Sequence, residues 1–355
     1  MSNAAQCYLQ ACLRAYWQGT PMPAPAGLAD PAEVARLAVQ QGVGPLLYRA
    51  LKAASPAKVP EVLLAALRPH YLAAVAQAGL QVREVQRLQR AFEAAGVPVL
   101  FYKGVVLGRM AYGDPALRPA SDIDLLVAAS DFARAEAVVL ELGYHRDVPH
   151  RGMVRRLYLR LQREHPYRTP NRLLMVDLHT GTAPWRFAPQ PDVGALLTEA
   201  RHVDVEGQAV RTLPVEALLP LLCLHSAKHQ WRSLKWMCDV AGLLRYAPGI
   251  DWDRVWRIAR QWQCQRMVRL GLWLVHEGLG VALPAEALRI VRQDRRVERL
   301  ARRVLDGIGH PGAWRSFWQR FAFHVQCREH PAARLRYLLL TPLFYTTRPL
   351  LGIQH

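Results

Sequence analysis

The sequence predicts an α+β protein in which a small mixed sheet is flanked by helical regions on both sides. Three observations predict it. Apolar residues recur at helical spacing up to about residue 93 and again beyond Pro214. From Gly96 to about Pro184 short apolar runs alternate with polar positions and are punctuated by Gly, Pro and Asn, as strands and turns are. The chain also has 355 residues, 51% of them hydrophobic, which is enough to bury a large core in two or three domains. The expected division is a helical region 1–93, a sheet core 94–185, a connecting segment with a hairpin 186–213, and a helical domain 214–355.

Taken in order, Ala4 to Trp17 has the apolar spacing of a helix, and Asp30-Pro31-Ala32-Glu33 reads as an N-cap followed by proline and a first-turn carboxylate. Val59 to Ala95 is a long helical run with a bend expected at Pro69. This part is expected to buttress the sheet. Val97 to Tyr102 reads as a buried strand ending in the turn Lys103-Gly104, which opens a short helix, Val105 to Tyr112. A helix start leaves backbone N–H groups unpaired and so favours an anion.

Next comes Arg118-Pro119-Ala120-Ser121-Asp122-Ile123-Asp124-Leu125-Leu126-Val127. In a strand, residues two apart share a face, so Asp122 and Asp124 converge while Ile123 points away. Two carboxylates held together repel and are costly to desolvate, which a cation relieves, and hard oxygen ligands suit Mg2+ or Mn2+. A helix from Phe132 to Leu142, capped by Ser130 or Asp131, is expected to end at Gly143. Leu161 to Arg168 and Leu173 to His179 are expected to pair across Thr169-Pro170-Asn171, with Pro166 placing the first at a sheet edge and helices covering one face. Asp177 supplies a third carboxylate, and His179, on its face, is either its partner or a packed histidine. A hairpin with Glu206-Gly207 at its turn is expected between Val203 and Val210. Leu221 to Leu244 reads as one helix carrying His225, Lys228, His229, Arg232, Trp236 and Asp239 at spacings of three and four. That face is either solvated or in contact with phosphates. His225 and His229 alone would also suit zinc, with no third ligand in view.

Together the Lys103-Gly104 turn, the Asp122-x-Asp124 strand and the later Asp177 resemble the nucleotidyltransferase superfamily that includes DNA polymerase beta. Two departures stand out: Lys-Gly replaces the usual Gly-Gly or Gly-Ser, and the spacer to Asp122 is long. Lys103-Gly104 with Arg118, Ser121, Asp122 and Asp124 is more similar to a branch of uncharacterised bacterial nucleotidyltransferases. Gly42 to Leu47, Glu164-His165, Val176 to His179 and His225 to Asp239 extend that similarity over roughly residues 30–245. The resemblance implies transfer of a nucleoside monophosphate from a nucleoside triphosphate such as ATP to an acceptor, with release of pyrophosphate. It implies that Asp122, Asp124 and Asp177 are catalytic and bind magnesium or manganese. It also implies that Lys103, Gly104, Arg118, Ser121, Lys228 and His229 bind the nucleotide, although Arg118 and Ser121 could equally shape the loop.

Composition bounds the partners. The formal net charge is +18, which suits a polyanion such as RNA, or the nucleotide itself. A basic RNA-binding module on the same fold, without turnover, is therefore the rival reading. Only five of the 46 basic residues are lysine (Lys52, Lys58, Lys103, Lys228, Lys235), a skew that genome composition explains equally well. The same skew singles out Lys103 and Lys228 as places that want a compact charge. The six cysteines lack zinc-ribbon spacing, no signal-peptide pattern opens the chain, and no apolar run is long enough to span a membrane, so a cytoplasmic protein is expected.

Overall fold

The computed structural model describes residues 3–25, 30–54, 59–147, 163–184, 187–189, 191–247, 249–308 and 316–347. Lys58 and the start of the strand expected from Leu161 lie outside them.

Four helices come first: α1 (Asn3–Gln18), α2 (Pro31–Gln40), α3 (Gly44–Lys52) and α4 (Glu61–Ala94). Asp30 caps α2 as its sequence suggests, accepting a hydrogen bond from the Ala32 N–H. α4 continues past Pro69, which is exposed, as is Ala65, whose carbonyl the proline leaves without its helical partner. The N-terminal helices do not all support the sheet. α1 to α3 enter the larger core with the C-terminal helices, α1 reaching them through Gln6 to the Ile308 carbonyl and Arg14 to the Glu277 carbonyl at 3.1 Å. Only the second half of α4, through Val85, Leu88 and Phe92, packs on the sheet.

The sheet runs β1-β2-β5-β4-β3, from β1 (Leu100–Phe101), β2 (Ile123–Leu126), β3 (His145–Arg146), β4 (Glu164–Arg168) and β5 (Met175–His179). Only the β2–β5 pair is parallel, and it sets Asp124 opposite Asp177. Alternation then sorts the faces. Ile123, Leu125, Val176, Leu178 and Tyr167 enter a core with α4 and α6 (Phe132–Glu141). The opposite face is not left to solvent: Leu100 and Leu126 join the larger helical core there. The expectation of helices on one face is corrected accordingly. β4 is not an edge strand either, because β3 pairs with Tyr167 and Arg168. Beyond those two pairs the Pro166 carbonyl accepts the Asp147 N–H at 2.9 Å, so Pro166 still faces β3 as an acceptor although it has no N–H to donate.

Beyond α7 (Val193–Thr198), β6 (Arg201–Val205) and β7 (Gln208–Thr212) form the expected hairpin. Glu206 and Gly207 both have positive φ, 50° and 83°, as a two-residue primed turn requires. The helices that follow are α8 (Val215–Lys228), α9 (Leu234–Tyr246), α10 (Trp252–Gln261), α11 (Gln265–Trp273), α12 (Ala285–Arg292), α13 (Arg295–Gly307), α14 (Phe317–Gln326) and α15 (Pro331–Thr347). The single helix expected over Leu221 to Leu244 is two helices. The chain breaks at His229, with Gln230 and Trp231 left-handed at φ 56° and 53°, Trp231 fully buried, and Ser233 capping α9. Burying a tryptophan outweighs the strain of the turn.

No disulfide joins the six cysteines, and among the described residues no helix is long and apolar enough to cross a membrane.

Candidate active site

β1 delivers Tyr102 and Lys103 to one end of the sheet, and α5 (Gly104–Tyr112) starts immediately after. Gly104 has φ +56°, and a Cβ there would lie 3.2 Å from the Asp122 carbonyl oxygen. Glycine alone therefore brings this turn against the acidic strand without strain. α5 is fixed in turn against α9, where a Cβ on Gly242 would overlap the Ala111 carbonyl oxygen.

Asp122 and Asp124, Lys103, Asp177 and His179 line one cavity of about 240 Å³. Its further walls are Tyr102, Glu164, the segment Gly181 to Pro184, and Leu221, His225, Lys228 and His229 at the end of α8. The Lys103 ammonium lies 2.5 Å from Asp124 Oδ1, and His179 Nε2 lies 3.0 Å from the same oxygen. His179 thus serves Asp124 and not Asp177, the partner the sequence suggested. Asp177 Oδ1 is buried and has no hydrogen-bond partner.

The electrostatics follow from this crowding. Burial alone would raise Asp124, but the Lys103 charge and the His179 hydrogen bond hold its carboxyl well below the usual range. Burial would lower Lys103, yet Asp124 and Asp122 keep it above an ordinary lysine. Asp177 is pushed up to about 8, first by burial and then by Glu164, Asp124 and Asp122. Burial and Asp124 raise Asp122 as well. Four carboxylates face two ammonium groups, and Lys228 reaches only to 4.0 Å from Glu164.

The donor set fits a hard divalent cation: carboxylate oxygens in excess of the cations around them, one of them buried and unpartnered. Among the described residues no three His, Cys, Asp or Glu groups are drawn together at ligand spacing, since Asp124 is turned onto Lys103 and His179. Binding a cation would require Asp124 to exchange those partners. The same observation leaves His225 and His229 without a third zinc ligand.

Arg118 takes the loop-shaping side of its two readings. Its guanidinium is buried and holds both Asp239 oxygens, at 2.9 and 3.0 Å, away from the cavity lining. Tyr112 donates to Asp239 Oδ1 at 2.9 Å. Arg118 therefore ties the loop before β2 to α9 and α5, as a residue that shapes this loop does. Lys235 Nζ holds the Pro119 carbonyl at 3.2 Å, and Gln81 holds the Ala120 carbonyl at 3.0 Å. Ser121 stands exposed beside the cavity, its hydroxyl 3.4 Å from Asp122 Oδ1.

Glu164, which the sequence marks only as part of the family resemblance, is a lining residue of the cavity. The Glu164-His165 match was its signal, and the structure adds the reason: Glu164 alternates with the buried His165 and Tyr167, and register places it opposite His179. Asp239 was noticed, but as a member of a helical face and not as the partner of an arginine 121 positions earlier.

Comparison with known proteins adds the following. A family profile described as uncharacterised nucleotidyltransferase matches residues 28–280. No curated protein matches. Among solved structures, the solution structure of the antibiotic-resistance factor ANT(2'')-Ia is similar at 14% identity and a TM-score of 0.35, covering 52% of this chain and 91% of that one.

Proposed function

The chain belongs to the uncharacterised nucleotidyltransferase family whose profile spans residues 28–280, and on that premise we infer that it moves a nucleoside monophosphate from a nucleoside triphosphate to an acceptor oxygen with the help of a divalent cation. One observation carries the reading: the parallel register that sets Asp124 opposite Asp177, in a cavity that Asp122 and Lys103 also line.

Magnesium or manganese, held by Asp122, Asp124 and Asp177, would neutralise charge on the phosphates and make the acceptor oxygen more acidic. Lys103, at the start of α5, supplies a compact positive charge to the triphosphate, beside backbone N–H groups that favour an anion. Asp177 stands on the acceptor side, where its unpartnered oxygen is available to the acceptor's proton. Arg118, through Asp239, holds the loop that presents Asp122. Little covalent chemistry falls to the protein, and positioning and charge supply the rate.

The acceptor is RNA, a protein or a small molecule, and one experiment separates them. The protein is incubated with each α-labelled triphosphate, magnesium and a cell extract, and the extract is then fractionated. Label in one fraction that is absent with Asp124→Asn supports transfer and names the acceptor class. Binding to RNA with no labelled fraction for any triphosphate would favour the module without turnover, to which the net charge of +18 would then belong.

A further inference from the structure

The cavity wall facing the carboxylates is built from rings. His225, Lys228 and His229 line it from the end of α8. The His229 ring is stacked on Trp236, with centroids 5.5 Å apart and planes 29° from parallel. His225 packs against His229 at 4.8 Å and against Trp236 at 6.1 Å. Trp236 takes no part in the lining, whereas His229, stacked on it, does.

This ring is also held in place. The turn that follows it has two consecutive left-handed residues, Gln230 and Trp231. His324 Nε2 sits 2.7 Å from Gln230 Nε2 and 3.0 Å from the Lys228 carbonyl, and His324 Nδ1 lies 2.7 Å from the Tyr337 hydroxyl. A strained turn clamped from α14 and α15 is what a preorganised surface needs. Burial first, then the neighbouring Lys228, push His229 down to about 2, so the ring is neutral and carries no charge to desolvate on stacking.

We propose that His229, backed by Trp236, is the surface on which the base of the nucleoside triphosphate stacks, with Lys228 beside it for the phosphates. The proposal rests on the transferase reading and adds a recognition mode to it. Stacking uses the π-face that every base has, so selection among bases is weak and favours the larger purines.

The test is calorimetric binding of ATP, GTP, CTP, UTP and inorganic tripolyphosphate, with magnesium, to the full chain and to His229→Ala and His229→Phe, thermal melts confirming the fold of each. His229→Ala is expected to weaken ATP and GTP about tenfold. It should leave tripolyphosphate unchanged, and His229→Phe should restore the purine nucleotides. Equal loss for ATP and tripolyphosphate, or no loss for either, overturns the proposal. So does intact nucleotide binding with reduced turnover, which would assign the ring to the acceptor. Wild type that binds tripolyphosphate but no nucleotide more tightly removes the stacking proposal and leaves the transferase reading standing. Wild type that binds neither removes the transferase reading first.

Discussion

Two buried ion pairs lie close together in this molecule and are built for different ends. Arg118 and Asp239 share two hydrogen bonds, Tyr112 takes a third, and both partners are sealed from the cavity. Lys103 and Asp124 share one contact, with His179 on the same oxygen, and both line the cavity beside Asp122, Glu164 and Asp177. The chemistry is alike, a cation against an aspartate. The surroundings differ: in the first pair both carboxylate oxygens accept hydrogen bonds, whereas the second sits among carboxylates that repel one another and beside an oxygen with no partner. A saturated pair holds structure, and an unsaturated one is poised to exchange partners with a ligand.

The comparison breaks most sharply under mutation. Asp239→Ala leaves a guanidinium buried and uncompensated, so denaturant unfolding should show a loss of about 3–5 kcal/mol. Arg118→Ala should cost a similar amount. A variant at either position with wild-type stability would mean that this pair is not the anchor of the β2 loop.

The reverse pattern is expected in the cavity. Asp122→Asn and Asp124→Asn each remove a charge that the reaction needs, and the first also relieves repulsion. Transfer should fall by a hundredfold or more, on the order of the loss of one preorganised electrostatic group. The melt of Asp122→Asn should stay near wild type and that of Asp124→Asn should be lower, because it leaves Lys103 buried without its carboxylate. Wild-type turnover in either variant would return the acidic strand to the same structural class as Asp239.

Local rules and tertiary ones divide what could be read in advance. Asp122 could be placed with Asp124, and Asp177 with His179, because strand alternation is a two-residue rule, and Lys103-Gly104 because glycine is what a tight strand-to-helix turn takes. The meeting of the two carboxylate strands came only with the β2–β5 pairing. The Glu206-Gly207 turn and the Asp30 cap are equally local. The break after α8 was hidden: Gln230 and Trp231 are not turn formers, and only the buried site waiting for the Trp231 ring forces the chain out of its helix. The partner of Arg118 was hidden for the same reason, since Asp239 arrives from α9 with the tertiary fold. His179 could be placed on the right face, but not on the right aspartate.

The smallest effect is also the most diagnostic, because it reads the crowding of the carboxylates without requiring turnover. In the folded chain burial first, then Glu164, Asp124 and Asp122 push Asp177 up to about 8, against roughly 4 for an unfolded aspartate. Between those values the folded chain binds more protons than the unfolded one, so this group's contribution to stability falls as pH rises from about 4 to 8. Asp122, also raised, acts in the same direction. Asp124 is depressed, so its contribution is lost only on acidification below the ordinary carboxylate range. His225 and His229 are held neutral by burial and act in the opposite sense, adding stability as pH rises through the usual histidine range. The total slope therefore mixes signs, and the difference made by a divalent ion isolates the carboxylates. Magnesium or manganese should raise the melting temperature little at pH 5, where a proton already relieves Asp177, and by a few degrees at pH 8. Asp177→Asn should abolish most of that gain. An ion-induced shift of equal size at the two pH values would mean that the cation binds elsewhere, and that the carboxylates of the cavity are only crowded.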